Sequence, residues 1–294
     1  MIAAAPADRR EGVVNPSLPS CADAIRSHDP DRFFCDLLAP APACASLFAL
    51  HAFEIEVARI PERVSEPLLG AIRLQWWREA LDGIATGTPR RHEVVLPLAG
   101  AVAQDGLALP LLYRMIDGWD ATQGRDGPQD LADIERHETA TRGVCNLAAL
   151  GLLGATQDEN ARTAANEAAL AVGLTRLLLH AAGQSGRGRP ALPGDVLARH
   201  GLDAGSVFDP RRGERLAEAA REIAEAARGH VAAARLAGRS LPRRARPALL
   251  PVAFAAADLA RLGRLGHDLL DPRLQHRGIA RQMRVLGRGL RGTF

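Results

Sequence analysis

Residues 47–64 carry Leu50, Phe53, Val57, Ile60 and Val64, which step by three or four and form one apolar stripe. That period belongs to an amphipathic helix and is incompatible with a strand, whose side chains alternate with period two. No window of the chain alternates convincingly with period two. The 294 residues are 47% hydrophobic but only 4% aromatic, so the core is built mainly from Ala, Leu and Val. Ala, Leu, Arg and Glu favour helices, and the β-branched and aromatic residues that strands prefer are scarce. The expected fold is therefore all-α. Helices are predicted at about 21–38, 41–60, 65–84, 92–104, 110–124, 129–154, 158–184, 209–237, 244–270 and 272–290, punctuated by clusters such as "APAP", "GTPRRH", "GRGRPALPGD" and "GRSLPRR". With no repeat and no long linker, the chain reads as a loose tail over 1–20 and one domain over 21–294.

Every basic residue is Arg, and the net charge is +3. That balance is too small to imply nucleic acid, and the basic stretches lack interleaved aromatics, so no nucleic-acid partner is expected. A GC-rich genome accounts for the absence of Lys. Phosphate recognition by guanidinium forks is the functional alternative. Cys21, Cys35, Cys44 and Cys145 form no C-x-x-C pair or zinc spacing and read as reduced thiols. The start "MIAAAPADRREGVV" offers no signal h-region, and no run of about 18 apolar residues reads as a span, so a cytoplasmic location is expected. "HEVVL" (92–96) and "HETAT" (137–141) begin like zinc-protease helices, but Leu96 and Thr141 replace the second His.

Four stretches in order carry a resemblance: "LFALHAFEIEVARIPERVSEP" (47–67), "IRLQWWREALD" (72–82), "TRGVCNLAALGLLG" (141–154) and "LTRLLLHAAGQSGRGRPALPGDVLARHGL" (174–202). Together they resemble the squalene/phytoene synthase family. The resemblance implies a single-domain isoprenoid-synthase-like helical fold around a central apolar cavity. It also implies head-to-head joining of isoprenyl diphosphates, with Mg²⁺ held between two aspartate-rich helices. Asp residues at i and i+4 share a helix face, and Mg²⁺ prefers oxygen ligands.

The family's first acidic motif falls on Ala58, Arg59 and Glu62, and its second on His180 and Gln184. Ala58 has no oxygen to offer, Arg59 repels a cation, and Pro61 disturbs the helix. The resemblance thus points to the branch that includes assembly factor 6 of mitochondrial respiratory complex I and its bacterial relatives. That branch implies a non-catalytic role at a membrane surface, with respiratory-complex assembly partners and a lipid or isoprenoid diphosphate-like ligand. An active prenyltransferase is the alternative. No cofactor is expected, and Mg²⁺ enters only under the alternative.

Ligand-binding candidates are Phe53, Glu62, Arg73, Trp76, Trp77, His180, Arg187 and Arg189. Against each stands a plain alternative: packing for the aromatics, a solvated turn for Arg187 and Arg189, and a solvated face for Glu62. Residues 272–291 form a basic amphipathic stretch. Arg277, Arg281, Arg284 and Arg288 step along one face, opposite Ile279, Met283, Leu286 and Leu290. This pattern suits an anionic membrane on the inner face of the cytoplasmic membrane, or a packed helix with its Arg side solvated.

Overall fold

The computed structural model describes residues 18–63, 66–122, 128–185, 192–203, 209–275, 279–291 and 294. Residues 1–17, most of the expected tail, lie outside them. Among the described residues every regular element is helical, as the composition predicts.

Helices α1 (Leu18–His28) and α2 (Pro30–Asp36) replace the single helix expected over 21–38. The division falls at Asp29-Pro30. Asp29 leaves the helical region at φ −140° and its carboxylate accepts the N–H of Arg32 at 3.1 Å, while Pro30 takes the first helical position, where no N–H is needed. The next helix, α3 (Ala41–Ala58), runs through the core with Leu47, Leu50, Phe53 and Val57 essentially sealed from solvent. By length and hydropathy α3 could cross a bilayer, yet 56% of it is buried within the protein, as suits a core helix. It stops at Arg59, and a short α4 (Ile60–Arg63) follows. Pro61 supplies the cause, since its ring crowds the carbonyl one turn back.

The chain continues through α5 (Pro67–Ala85), α6 (Val95–Asp105), α7 (Leu109–Asp120), α8 (Leu131–Glu138) and α9 (Val144–Leu152). A π turn at Thr139–Gly143 joins the last two, so the predicted helix over 129–154 is continuous but locally unwound. Such turns insert an extra residue and re-aim the side chains around them. Helix α7 crosses this turn at Gly118, where a Cβ would lie 2.5 Å from the carbonyl oxygen of Ala140. Then come α10 (Glu159–Ser185), α11 (Gly194–Arg199), α12 (Gly213–Ala237), α13 (Pro251–Arg264) and α14 (Ile279–Leu290). Helices α10 and α12 share the most extensive seam in the fold. Both helices bury small residues, Ala161, Ala164, Ala165 and Ala168 in α10 and Ala219, Ala220, Ala224 and Ala227 in α12. Small side chains allow ridges and grooves to mesh at close range, which is how a core poor in aromatics fills its volume.

Cys21, Cys35 and Cys145 are buried and all four thiols are free. Burial pushes Cys21 up to about 12, with Glu93 adding to the shift, so the thiol stays protonated and inert.

Candidate functional site

A cavity of about 100 Å³ opens between the start of α2, helix α3, the π turn, and helices α10, α13 and α14. Glu54 of α3 and Thr175, Arg176 and His180 of α10 are among its lining residues. The two helices that the resemblance places about a metal site thus both border this cavity. The lining differs from an apolar pocket. Four arginines, Arg32, Arg142, Arg176 and Arg281, meet four carboxylates, Asp29, Asp31, Glu54 and Asp258.

Each arginine is held. Arg176 donates to Asp29 at 2.7 Å. Burial of Asp29 opposes its charge, but Arg176, Arg32 and the capping N–H outweigh burial and hold the carboxyl down to about 2. Arg142 donates to both oxygens of Glu138 at 2.5 Å. Burial disfavours its charge, and Glu138 and Glu54 more than restore it. Arg32 donates to the carbonyl of Ala248 and to Asn146, both at 3.2 Å.

Arg281 grips two acids at once, Asp258 through Nε at 2.8 Å and Asp31 through Nη1 at 2.6 Å, each with a second contact from Nη2. Its guanidinium also lies 4.2 Å from the ring centre of Phe254. This corrects the expectation that Arg281 faces a membrane. It is 7% exposed, because α14 packs on α13 with Arg281 and Val285 inward. Met283, placed on the apolar side by the spacing, is 59% exposed. Arg284 and Arg288 are on the exposed side as expected, and Arg277 lies outside the described residues.

A second cavity of about 290 Å³, largely apolar, lies between Pro61, Trp119, Ile134, His137 and Leu177. Glu138 faces it and Arg142 faces the first, so their ion pair forms part of the partition. Gly173 makes room for the Glu138 side chain, which a Cβ there would meet. The described residues thus line a charged chamber and, beside it, a largely apolar one. Small-molecule sites usually span roughly 300–1,000 Å³, and the charged chamber falls well short of that.

The other candidates are dispersed. Ala58 ends α3 and Arg59 caps it; both are partly exposed and neither lines the charged chamber. Phe53 is fully buried and packs edge-on against Trp77 at 5.2 Å. Trp77 is core, whereas Trp76 is half-buried against His92 with Arg90 over its ring at 5.4 Å. Arg73 and Trp76 line an outer groove with Glu56, Ile60, Arg63 and His92, away from the chamber. The side chains of Glu62 and Gln184, and residues Arg187 and Arg189, lie outside the described residues. Of the predicted residues, the structure brings His180 and Arg281 into the chamber. Asp29, Asp31, Arg32, Arg142, Arg176 and Asp258 were not singled out from the sequence, although "HDPDRFF" carries an Asp-Pro cap signal and Asp258 is a lone acid in an apolar run.

The fold type implies Mg²⁺, which asks for several oxygen ligands in near-octahedral order. At the expected positions Ala58 supplies none, Arg59 is cationic, and His180 presents nitrogen. Among the described residues no three His, Cys, Asp or Glu side chains gather as a metal site would need. Of the described residues at the expected positions, Ala58, Arg59 and His180 do not supply the oxygen ligands of a Mg²⁺–diphosphate clamp.

Residues 25–280 match the squalene/phytoene synthase family. Among solved structures, a ligand-bound dehydrosqualene synthase superposes with a TM-score of 0.80 at 16% identity, covering 94% of this chain and 95% of that one. The squalene synthase HpnC from Alicyclobacillus acidocaldarius gives 0.75 at 18% identity, covering 86% and 95%. At these identities the likeness shows the fold alone. In sequence, the NADH dehydrogenase (ubiquinone) complex I assembly factor 6 of Mus musculus is 28% identical over 259 residues, covering 88% of this chain and 78% of that protein. The Homo sapiens protein of that name is 26% identical over 257 residues, covering 87% and 77%.

Proposed function

The chain belongs to the squalene/phytoene synthase family, and from that premise we propose that it is a non-catalytic member acting in respiratory complex I assembly at a membrane surface. One observation carries this reading: the interior charges are committed to one another. Asp29, Asp31 and Asp258 are each bonded to an arginine of the same chamber, and Glu54 acts on Arg142 through its charge. A diphosphate or its metal would have to break these pairs, and removing one partner from a buried pair costs about 3–5 kcal/mol. The positions where the family places acids, filled here by Ala58, Arg59 and His180, support the same conclusion. The apolar chamber beside Leu177 and Trp119 suits a short stretch of lipid or isoprenoid better than two full prenyl chains. The likeness to complex I assembly factor 6 supports the assembly role, and the exposed Arg284 and Arg288 support a peripheral place on the inner face of the cytoplasmic membrane.

Two measurements test this. Purified protein incubated with farnesyl or geranylgeranyl diphosphate and Mg²⁺ is expected to yield no C30 or C40 hydrocarbon; formation of either reassigns the protein as a head-to-head prenyltransferase. Deleting the gene in its host is expected to lower assembled NADH dehydrogenase in membranes, and normal assembly in the deletion strain removes the assembly role.

A further inference from the structure

A cavity of about 390 Å³ lies where the α2–α3 connection, the 3₁₀ segment Arg243–Leu249 and the end of α14 meet. It shares no lining residue with the charged chamber or with the apolar one. Its walls carry Arg243, Arg244, Arg246 and Arg291, with Leu38 and Leu250 among the apolar residues between them, and among its described lining residues there is no carboxylate. The contrast with the charged chamber is the point. There, four arginines are balanced by four acids. Here, four arginines line a larger, open space, and none of the described residues lining it is an acid. Gathering like charges in one concavity raises their mutual repulsion and focuses the positive potential on whatever enters.

The geometry is built rather than incidental. Arg244 is anchored by a bond to the carbonyl of Gly154 at 3.2 Å, and Arg246 by one to the carbonyl of Arg239 at 3.1 Å, which fixes their stems beside the cavity. On the facing side, Gly289 lets α14 settle on Leu38 and Leu250, where a Cβ would lie 3.1 Å and 3.3 Å from their methyl groups, and this brings Arg291 to the rim. Guanidinium groups suit phosphate because their paired N–H donors match two oxygens at once. The apolar floor adds room for carbon next to the charge.

We infer that this cavity binds a phosphate group, presented either by the headgroup of an anionic phospholipid or by a soluble phosphate ester. The inference stands independently of the proposed assembly role, since it concerns different residues and a different readout.

The test uses the full chain and two probes: inorganic diphosphate by titration calorimetry, and co-sedimentation with phosphatidylcholine vesicles with or without phosphatidic acid. Arg243 and Arg291 are exposed and their guanidinium groups bond to no other described residue, so their removal is expected to spare the fold. Wild-type protein is expected to bind at least one probe, and Arg243→Ala/Arg291→Ala to weaken that binding about tenfold per arginine. Arg243→Lys/Arg291→Lys, which keeps the charge and loses the fork, is expected to fall between the two. A control lacking Arg26 and Arg114, both exposed and absent from the cavity lining, is expected to bind like wild type. Diphosphate binding without vesicle binding identifies a soluble ester as the source, and vesicle binding that needs phosphatidic acid identifies a lipid. Binding of neither probe, binding unchanged in the alanine pair, or an equal loss in the remote control would overturn the site.

Discussion

At the scale of single residues, Arg281 ties the end of the chain to its beginning. Its guanidinium joins Asp31 of α2 to Asp258 of α13, and removal leaves two carboxylates in a poorly solvated pocket. Arg281→Ala is therefore expected to cost about 3–5 kcal/mol, read as a lower urea midpoint with unchanged m-value; a loss below 1 kcal/mol would show that water replaces the pair. Asp29 gives a pH signature. Its native pKa is about 2, below the ordinary 3.8, so the stability it contributes is present above the ordinary value and fades as pH falls from about 4 toward 2. With 23% of its side chain exposed, the contribution is about 1–2 kcal/mol. Asp29→Asn is expected to flatten the acid limb of the stability curve over that range, and an unaltered acid limb would refute the pairing. The family motif's second acidic position pointed to His180, and helical spacing pointed to Arg281. Spacing placed Arg281 on the wrong face because a helical period defines faces without saying which one a neighbour covers. The remaining charged residues of the chamber come from five separate elements, and only the packing of those elements brings them together.

At the scale of elements, most helix boundaries were legible, since Pro, Gly and Asp mark them in the chain. The corrections come from local chemistry with a tertiary consequence. Asp29-Pro30 divides one predicted helix, and the same Asp29 that caps α2 becomes the partner of Arg176. The π turn at Thr139–Gly143 leaves no period-breaking residue in the sequence, so it reads as plain helix, yet it sits where Arg142 enters the chamber. Helix α7 depends on Gly118 to pass that turn. Gly118→Ala gains helix propensity of about 1 kcal/mol but drives a methyl group into the Ala140 carbonyl, an overpacking of about 1–3 kcal/mol. The net expectation is a lower Tm by thermal denaturation. A raised Tm would mean that α7 stands off from the turn.

At the scale of the whole molecule, the structure changes how a membrane role must be tested. Ending the chain at Asp271 would delete the C-terminal arginines, but it would also delete Arg281 and its bonds to Asp31 and Asp258. Any loss of vesicle binding would then report on folding. The exposed pair Arg284 and Arg288 separates the two effects. Each arginine near an anionic surface contributes about 1 kcal/mol, and screening at 0.1 M salt confines the attraction to about 10 Å. Arg284→Glu/Arg288→Glu reverses both charges while leaving Arg281 in place. If the outer face of α14 meets the membrane, this variant is expected to lose most of its co-sedimentation with anionic vesicles at low salt, with its urea midpoint measured alongside to separate any change in folding. The wild-type protein itself should detach as salt rises, since an attraction built on a few solvated charges has no buried apolar surface to hold it. Equal sedimentation of variant and wild type, or attachment that survives high salt, would show that α14 serves the fold through Arg281 and Val285 alone and that the membrane contact lies elsewhere on the molecule.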